Sequence, residues 1–509
     1  MIALLIGVPL LSGVLAFMIR QTALRRALLL AAAAAHAGLT AAAWVNRPGP
    51  LLGGWLEIDA AGLLVLTITS GLFLASAIYG VGYLRHEDAG SREDLDEDEL
   101  FVNAPEARFT GCLLLFLATM TLVAVSQHFG ILWVSIEATT LASAPLIYFH
   151  RHHRSLEATW KYLLICSVGI ALALLGNFFL VVASPSPVGA EGHGPMTMAS
   201  LIGRAATMNV GWLRAAFVLM LVGYGTKMGL APMHTWLPDA HSESPSVVSA
   251  LLSGALLNCA FLGILRVHAV CQAAGQGEFS GDLLILLGLV SMGLAAAFIV
   301  GQADYKRMLA YSSIEHMGIL AFGVGVGGAA AFGSMLHMVN HSLTKAMLFL
   351  AAGNILAAFR TKSPQKVRGL LHALPITGVL WVAGFLAITG SPPFGTFLSE
   401  LTILKGALDA GKYVPAAIYL LALAVAFVAM AAIMLKMAHG TSSLPAGPNP
   451  PAVSLSNPPA VSLSNRPKDT WLAVLPPILL GLIVLALGVY VPPQLSNLIR
   501  DALAAMGGR

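Results

Sequence analysis

FGILWVSIEATTLASAPLIYF, residues 129–149, is long and apolar enough to cross a bilayer, yet it carries a carboxylate, Glu137, well inside the run. A spanning helix needs about 20 mostly apolar residues, and a charge at its centre costs about 2.5–3.5 kcal/mol on insertion scales. Outward from this stretch the pattern repeats. Comparable runs fall near residues 2–18, 27–45, 60–84, 109–125, 162–184, 215–233, 246–265, 283–301, 308–332, 335–359, 376–403, 413–435 and 471–490. The spacing predicts an all-α polytopic membrane protein of about 14 transmembrane helices.

Composition agrees. Charged residues make up 10% of the 509 positions and apolar residues 57%, against roughly 25% charged in a soluble domain. The net charge of +4 is small, and nucleic-acid binding needs a concentrated basic face. Cys112, Cys166, Cys259 and Cys271 are scattered, with no C-x-x-C pair, so each reads as small apolar filler and not as a metal or cluster ligand. No basic segment precedes the first apolar run, which reads as a retained span and not a cleaved signal.

Basic residues set an expected orientation. With the N-terminus outside, the cytoplasmic loops collect Arg20, Arg25, Arg26, Arg85, Arg92, Arg151, Arg154, Lys306, Arg307 and the cluster Arg360, Lys362, Lys366 and Arg368, then Arg466 and Lys468. The opposite loops hold only Arg47, Arg204, Arg214, Arg266 and Lys412. The positive-inside rule then puts both termini on the periplasmic side of a bacterial inner membrane. Two loops stand apart: the acidic run EDAGSREDLDEDE (87–99) is a solvated stretch or a dock for a basic partner. The tandem NPPAVSLS repeat within 449–464 has the composition of an insertion without a packed core.

Few charges remain at depth, and they cluster in motifs. Lys227 lies in GYGTKMGLAPMHTWLPDA (223–240), the predicted seventh helix, together with His234; His241 follows directly. Glu315 and His316 lie in MLAYSSIEHMGIL (308–320), the tenth, and Glu400 in GSPPFGTFLSELTILKG (390–406), the twelfth. In HMVNHSLTKAML (337–348), the eleventh, His337, His341 and Lys345 recur every fourth residue, which places them on one stripe of a helix about 12 Å long. Three aligned titratable groups suit a relay in which waters bridge each gap; the bland reading is a histidine pair satisfied by nearby backbone. H-x-x-x-H offers a metal two ligands, but the sequence shows no H-E-x-x-H and no third ligand, so no metal is expected.

Helices seven and twelve are both interrupted: Pro232 follows Lys227, and Pro392 and Pro393 precede Glu400. Proline removes a backbone donor, and broken backbone at membrane depth is tolerated only where protein or a wet cavity surrounds it. Interruptions at corresponding positions of two halves point to inverted repeats around a transport site. Membrane helices also use proline freely, as at Pro476 and Pro477, so the pairing of a break with a buried charge is what counts. The expected division is residues 1–108 (three helices and the acidic loop), 109–272 (helices 4–8), 281–438 (helices 9–13, the second repeat), 439–470 (linker) and 471–509 (the last helix). No Walker loop, dinucleotide fingerprint, haem motif or soluble domain is visible, so neither a cofactor nor a catalytic centre of its own is expected.

KMGLAPMHTWLPDAHSESPS (227–246), ADYKRMLAYSSIEHMG (303–318) and HSLTKAMLFLAAGNI (341–355) resemble the antiporter-like subunits of respiratory complex I and its relatives. Within that group they look closest to component F of hydrogenase-4 and formate hydrogenlyase. The resemblance implies that Lys227 is the key lysine of a broken helix, with Glu137 its acidic partner, whose approach favours the charged amine. It further implies that His337, His341 and Lys345 form the central relay and that Glu400 is its terminal acid. One position departs: Asn258, in ALLNCAFLGILR (255–266), stands where complex I subunits usually have lysine. Asparagine holds no proton at neutral pH, so the path would pass through water, His234 or His241, with the Glu315–His316 pair compensating.

The resemblance therefore implies a proton-translocating subunit of a complex I-like or membrane-bound hydrogenase complex. Its expected partners are other membrane subunits and, through them, a hydrogenase-like or quinone-reducing peripheral arm. The same fold could instead serve a Mrp-type cation/proton antiporter without electron transfer. A solute carrier would need a roomy polar pocket with aromatic contacts, whereas the buried groups here are mostly titratable; no residue looks built for a quinone site.

Overall fold

The architecture comes from a computed structural model, which describes residues 1–86, 91–94, 99–184, 194–441 and 469–507. Helices α1 (Ile2–Met18), α2 (Thr22–Val45) and α3 (Ala60–His86) lead to a short antiparallel pair, β1 (Ser91–Asp94) and β2 (Glu99–Val102). Then follow α4 (Glu106–Val125), α5 (Phe129–Ile147), α6 (His153–Ala183), α7 (Met198–Arg204), α8 (Val210–Met228), α9 (Trp236–Glu243) and α10 (Ser246–Leu251). A π-helical turn, Leu252–Leu256, joins α10 to α11 (Leu257–Ala273). The second half comprises α12 (Gly277–Ile299), α13 (Tyr305–Val326), α14 (Gly328–Phe359), α15 (Leu370–Ala373), α16 (Pro375–Ile388), α17 (Gly395–Asp409) and α18 (Tyr413–Ala438), and α19 (Trp471–Val489) and α20 (Pro493–Ala505) end the chain. Among the described residues, 11 helices are long and apolar enough to cross a membrane, counting α10 to α11 as one, and α1 and α16 are shorter apolar helices.

Close helix packing rests on small residues. A Cβ on Gly288 of α12 would stand 2.7 Å from the Gly318 carbonyl of α13, and one on Gly223 of α8 would stand 2.6 Å from the Gly169 carbonyl of α6. Lipid offers no hydrophobic drive for helices to associate, so backbones that approach closely gain the van der Waals contact that holds them. Exposed leucine, valine and phenylalanine on α6 and α18, among them Leu164, Phe178, Leu421 and Val428, face outward as a bilayer requires.

Several boundaries differ from the sequence reading. Helix α6 begins nine residues before the expected 162, because His152 and Ser155 form a reciprocal cap on a polar first turn that an apolar-run criterion discards. The amphipathic α20, which buries Leu498, Ile499 and Ala502, was not expected for the same reason. The interruptions expected in helices seven and twelve fall between α8, which ends at Met228, and α9, which begins at Trp236, and between α16, which ends at Ile388, and α17, which begins at Gly395. Part of the acidic run (87–90 and 95–98) and the whole Pro/Ser repeat of 449–464 lie outside the described residues.

Candidate functional site: a buried line of titratable groups

The first break is closed by side chains. Helix α8 stops at Gly229, whose φ of 86° is left-handed. Proline at 232 then keeps the chain from resuming until α9. The Trp236 indole donates to the Thr226 carbonyl at 2.8 Å, and the Ala231 amide donates to Ser291 Oγ of α12 at 2.9 Å. The second break is built alike. Gly390 has φ 63°, Thr396 Oγ1 donates to the Ala387 carbonyl, and Asn340 Nδ2 of α14 donates to the Gly395 carbonyl at 2.9 Å. Each interruption therefore has backbone groups partnered by a neighbouring helix, as membrane depth demands, although Pro232, Pro392 and Pro393 themselves are exposed.

Lys227 ends α8, fully buried. Its ammonium donates to Thr140 Oγ1 at 2.8 Å and to the Tyr162 hydroxyl at 2.6 Å. It also lies 4.4 Å from the Tyr162 ring centroid and 5.9 Å from that of Trp236. Glu137, half-buried on α5, does not meet the lysine directly. Thr140 Oγ1 donates to Glu137 Oε2 at 3.3 Å, and Ser167 Oγ donates to Oε1 at 3.3 Å. The two residues paired in the sequence are thus joined by one hydroxyl. Thr140 lies three residues after Glu137, one helical turn on, so a local spacing signal existed. Tyr162 comes from the neighbouring α6, and nothing in the local sequence announces it.

Asn258 follows the π-turn on α11 and is fully buried. Its Nδ2 donates to the Gly254 carbonyl at 2.8 Å and to Ser342 Oγ of α14 at 2.7 Å, while Oδ1 has no protein partner. It therefore sits where the two halves meet, one residue from His341 along α14. His241 of α9 stacks on Phe349 at 4.8 Å, leaves both ring nitrogens without a protein partner, and lies within electrostatic reach of Lys306 and Lys345. His234 packs edge-on to Tyr311 of α13 at 6.5 Å.

On α14, His337, His341 and Lys345 are fully buried on one side, as the spacing predicts. Lys345 Nζ donates to the Leu309 carbonyl of α13 at 2.8 Å. His316 of α13 inserts between the histidines: its ring centroid is 5.0 Å from His337 and 5.1 Å from His341, which are 6.5 Å from each other. His316 Nδ1 and His337 Nε2 are 2.8 Å apart, and His337 Nδ1 lies 2.9 Å from Ser399 Oγ of α17. Glu315 interacts electrostatically with both Lys345 and Glu400. The sequence offers a metal the pair His337 and His341; in the fold it is donor atoms of His316, His337 and Glu400 that lie within 4.8 Å of one another.

At the end of the bundle where basic loops gather, a charged cluster missed by the sequence reading fixes α9. Lys306 is fully buried and donates to the carbonyls of Ser242 at 3.2 Å and Ser244 at 2.5 Å, closing the α9 C-terminus. Lys362 pairs with Glu243 at 2.8 Å, and Arg307 with Asp239 at 2.7 Å. Asp304 caps α13 by accepting from the Lys306 and Arg307 amides. Half-helix α9, from the first half of the chain, is thereby tied to α13 in the second.

Residues 126–438 match the NADH:quinone oxidoreductase/Mrp antiporter transmembrane family. The chain is 37% identical over 448 residues to a hydrogenase-4 component F homolog of Methylacidiphilum infernorum, covering 87% of each chain. It is 29% identical to hydrogenase-4 component B of Escherichia coli, over 72% of this chain and 52% of that protein. In fold it is similar to a chain of the membrane-bound sulfane sulfur reductase, an archaeal respiratory membrane complex (TM-score 0.82, 22% identity, 100% of this chain and 98% of the other). It is also similar to a chain of the Mrp complex from Dietzia sp. DQ12-45-1b (TM-score 0.81, 21% identity, 100% and 99%). A chain of respiratory complex I from Thermus thermophilus matches over the full length of both (TM-score 0.78, 23% identity). The chain belongs to the NADH:quinone oxidoreductase/Mrp antiporter family of transmembrane proteins, as an antiporter-like membrane subunit homologous to hydrogenase-4 component F.

Proposed function

We propose that this subunit moves protons within a complex I-like or group 4 membrane-bound [NiFe]-hydrogenase complex, driven by electron transfer in partner subunits. The observation that carries the reading is the buried line itself: Glu137, Thr140 and Lys227, then His241, Lys345 and Glu315, then His316, His337 and Glu400. Asn258 Oδ1 and the nitrogens of His241 and His341 have no hydrogen-bond partner among the described residues and are places for bridging water. Ionisable groups at such depth are expensive to place and are characteristic of ion paths. We further read α1, the α8–α9 pair and the α16–α17 pair as completing 14 crossings in two inverted five-helix repeats, in a bacterial inner membrane with both termini periplasmic.

The likeness to the Mrp complex supports a second reading, cation/proton exchange without electron transfer. Purification of the intact complex separates them, since a co-purifying [NiFe] hydrogenase large subunit supports the first. The decisive variant is Lys227→Ala. It should abolish proton translocation by the reconstituted complex while assembly persists; pumping at wild-type stoichiometry would overturn the reading.

A further inference from the structure

The crossing of α13, α14 and α17 brings together two imidazoles and a carboxylate close enough to close on one metal ion. Donor atoms of His316, His337 and Glu400 lie within 4.8 Å of one another, and all three residues are buried. Glu400 Oε1 has no hydrogen-bond partner, in a side chain about nine-tenths buried. His341, 5.1 Å from His316 between ring centroids, also leaves both nitrogens without a protein partner.

Ser399 Oγ has two carbonyl acceptors in reach, Thr396 at 2.9 Å and Gly395 at 3.2 Å, and lies 2.9 Å from His337 Nδ1. With its hydrogen turned to either carbonyl it accepts from His337 Nδ1, the tautomer that presents the Nε2 lone pair inward. An outer partner that holds the far ring nitrogen in this way is what orients histidine ligands in metal sites.

Nitrogens bound to one tetrahedral zinc stand about 3.3 Å apart, given Zn–N distances of about 2.0–2.1 Å. His316 Nδ1 and His337 Nε2 are 2.8 Å apart, so opening the pair by about half an ångström replaces their hydrogen bond with two metal bonds. Two imidazoles and one carboxylate with a fourth position open is a zinc ligand set; magnesium and calcium want six or more oxygens. On binding, His316 keeps a proton on Nε2 toward the Ile388 carbonyl, and any proton on its Nδ1 or on Glu400 leaves to water.

We propose that His316, His337 and Glu400 form a divalent zinc-class metal site, and that Zn2+ held there stops proton movement by occupying the lone pairs a relay needs. The block rests on the proton relay proposed above, whereas the binding stands on ligand geometry alone.

The test uses the whole purified complex, titrated with Zn2+ and, as a spectroscopic stand-in, Co2+. Wild type should bind one metal per chain beyond the amount bound by Glu400→Gln, with the visible bands of four-coordinate Co2+. Ser399→Ala, which removes only the outer partner of His337, should weaken binding about 10- to 100-fold. Equal metal content and affinity in wild type and both variants would overturn the site. Zn2+ bound at this site without inhibition of translocation would leave the site standing and refute the relay.

Discussion

Thr140 is the most exposed point of the relay hypothesis, because one hydroxyl joins its first two charged groups. The Thr140 hydroxyl accepts from Lys227 Nζ at 2.8 Å and donates to Glu137 Oε2 at 3.3 Å. Thr140→Val keeps the shape of the side chain and deletes that oxygen. The ammonium keeps Tyr162 as an acceptor at 2.6 Å but loses its connection to the carboxylate. A hydrogen bond to a charged group contributes about 1.5–3 kcal/mol. At about 1.4 kcal/mol per factor of ten, a step that uses the bridge slows about 10- to 150-fold. Proton translocation by the reconstituted complex should therefore fall at least about tenfold in the valine variant. Thr140→Ser, which retains the hydroxyl, should stay within about threefold of wild type, less than the loss of one such bond. Assembly, followed by size-exclusion chromatography, should be unchanged in both. A valine variant that pumps at the wild-type rate would show that protons pass from Glu137 to Lys227 without this bridge.

Two further substitutions, with one control, probe the relay and the first break. His341→Gln should sharply reduce translocation, since it keeps a polar side chain but removes a titratable ring beside His316, whereas His372→Gln, on the exposed face of α15, should do almost nothing; equal activity of the two would make the stripe mere packing. Trp236→Phe removes one of two donors to the Thr226 carbonyl, which keeps the Gly229 amide, and should cost about 0.5–1.5 kcal/mol for the lost hydrogen bond, read as a lower unfolding midpoint of the complex. An unchanged midpoint would deny that the indole seals the break.

The membrane class and the two interruptions are legible in the residues alone, and so are most ionisable groups of the candidate site. These are legible because the bilayer is an unforgiving solvent: it demands long apolar runs, so each charge or proline left inside one stands out. The i, i+4, i+8 stripe was legible because helical periodicity is local. What local periodicity cannot carry is contact between helices. Only the tertiary structure decided that Thr140 and Tyr162 stand at Lys227, and that Glu137 reaches the lysine through a hydroxyl. Only it decided that His316 inserts between His337 and His341, and that Ser399 orients His337. The polar threonines and serines in these roles are ordinary in membrane helices, where each can satisfy itself on its own backbone. Which of them instead turns to a buried charge depends on how close two backbones come. That distance is set by pairs such as Gly288–Gly318, far in sequence from the groups they bring together.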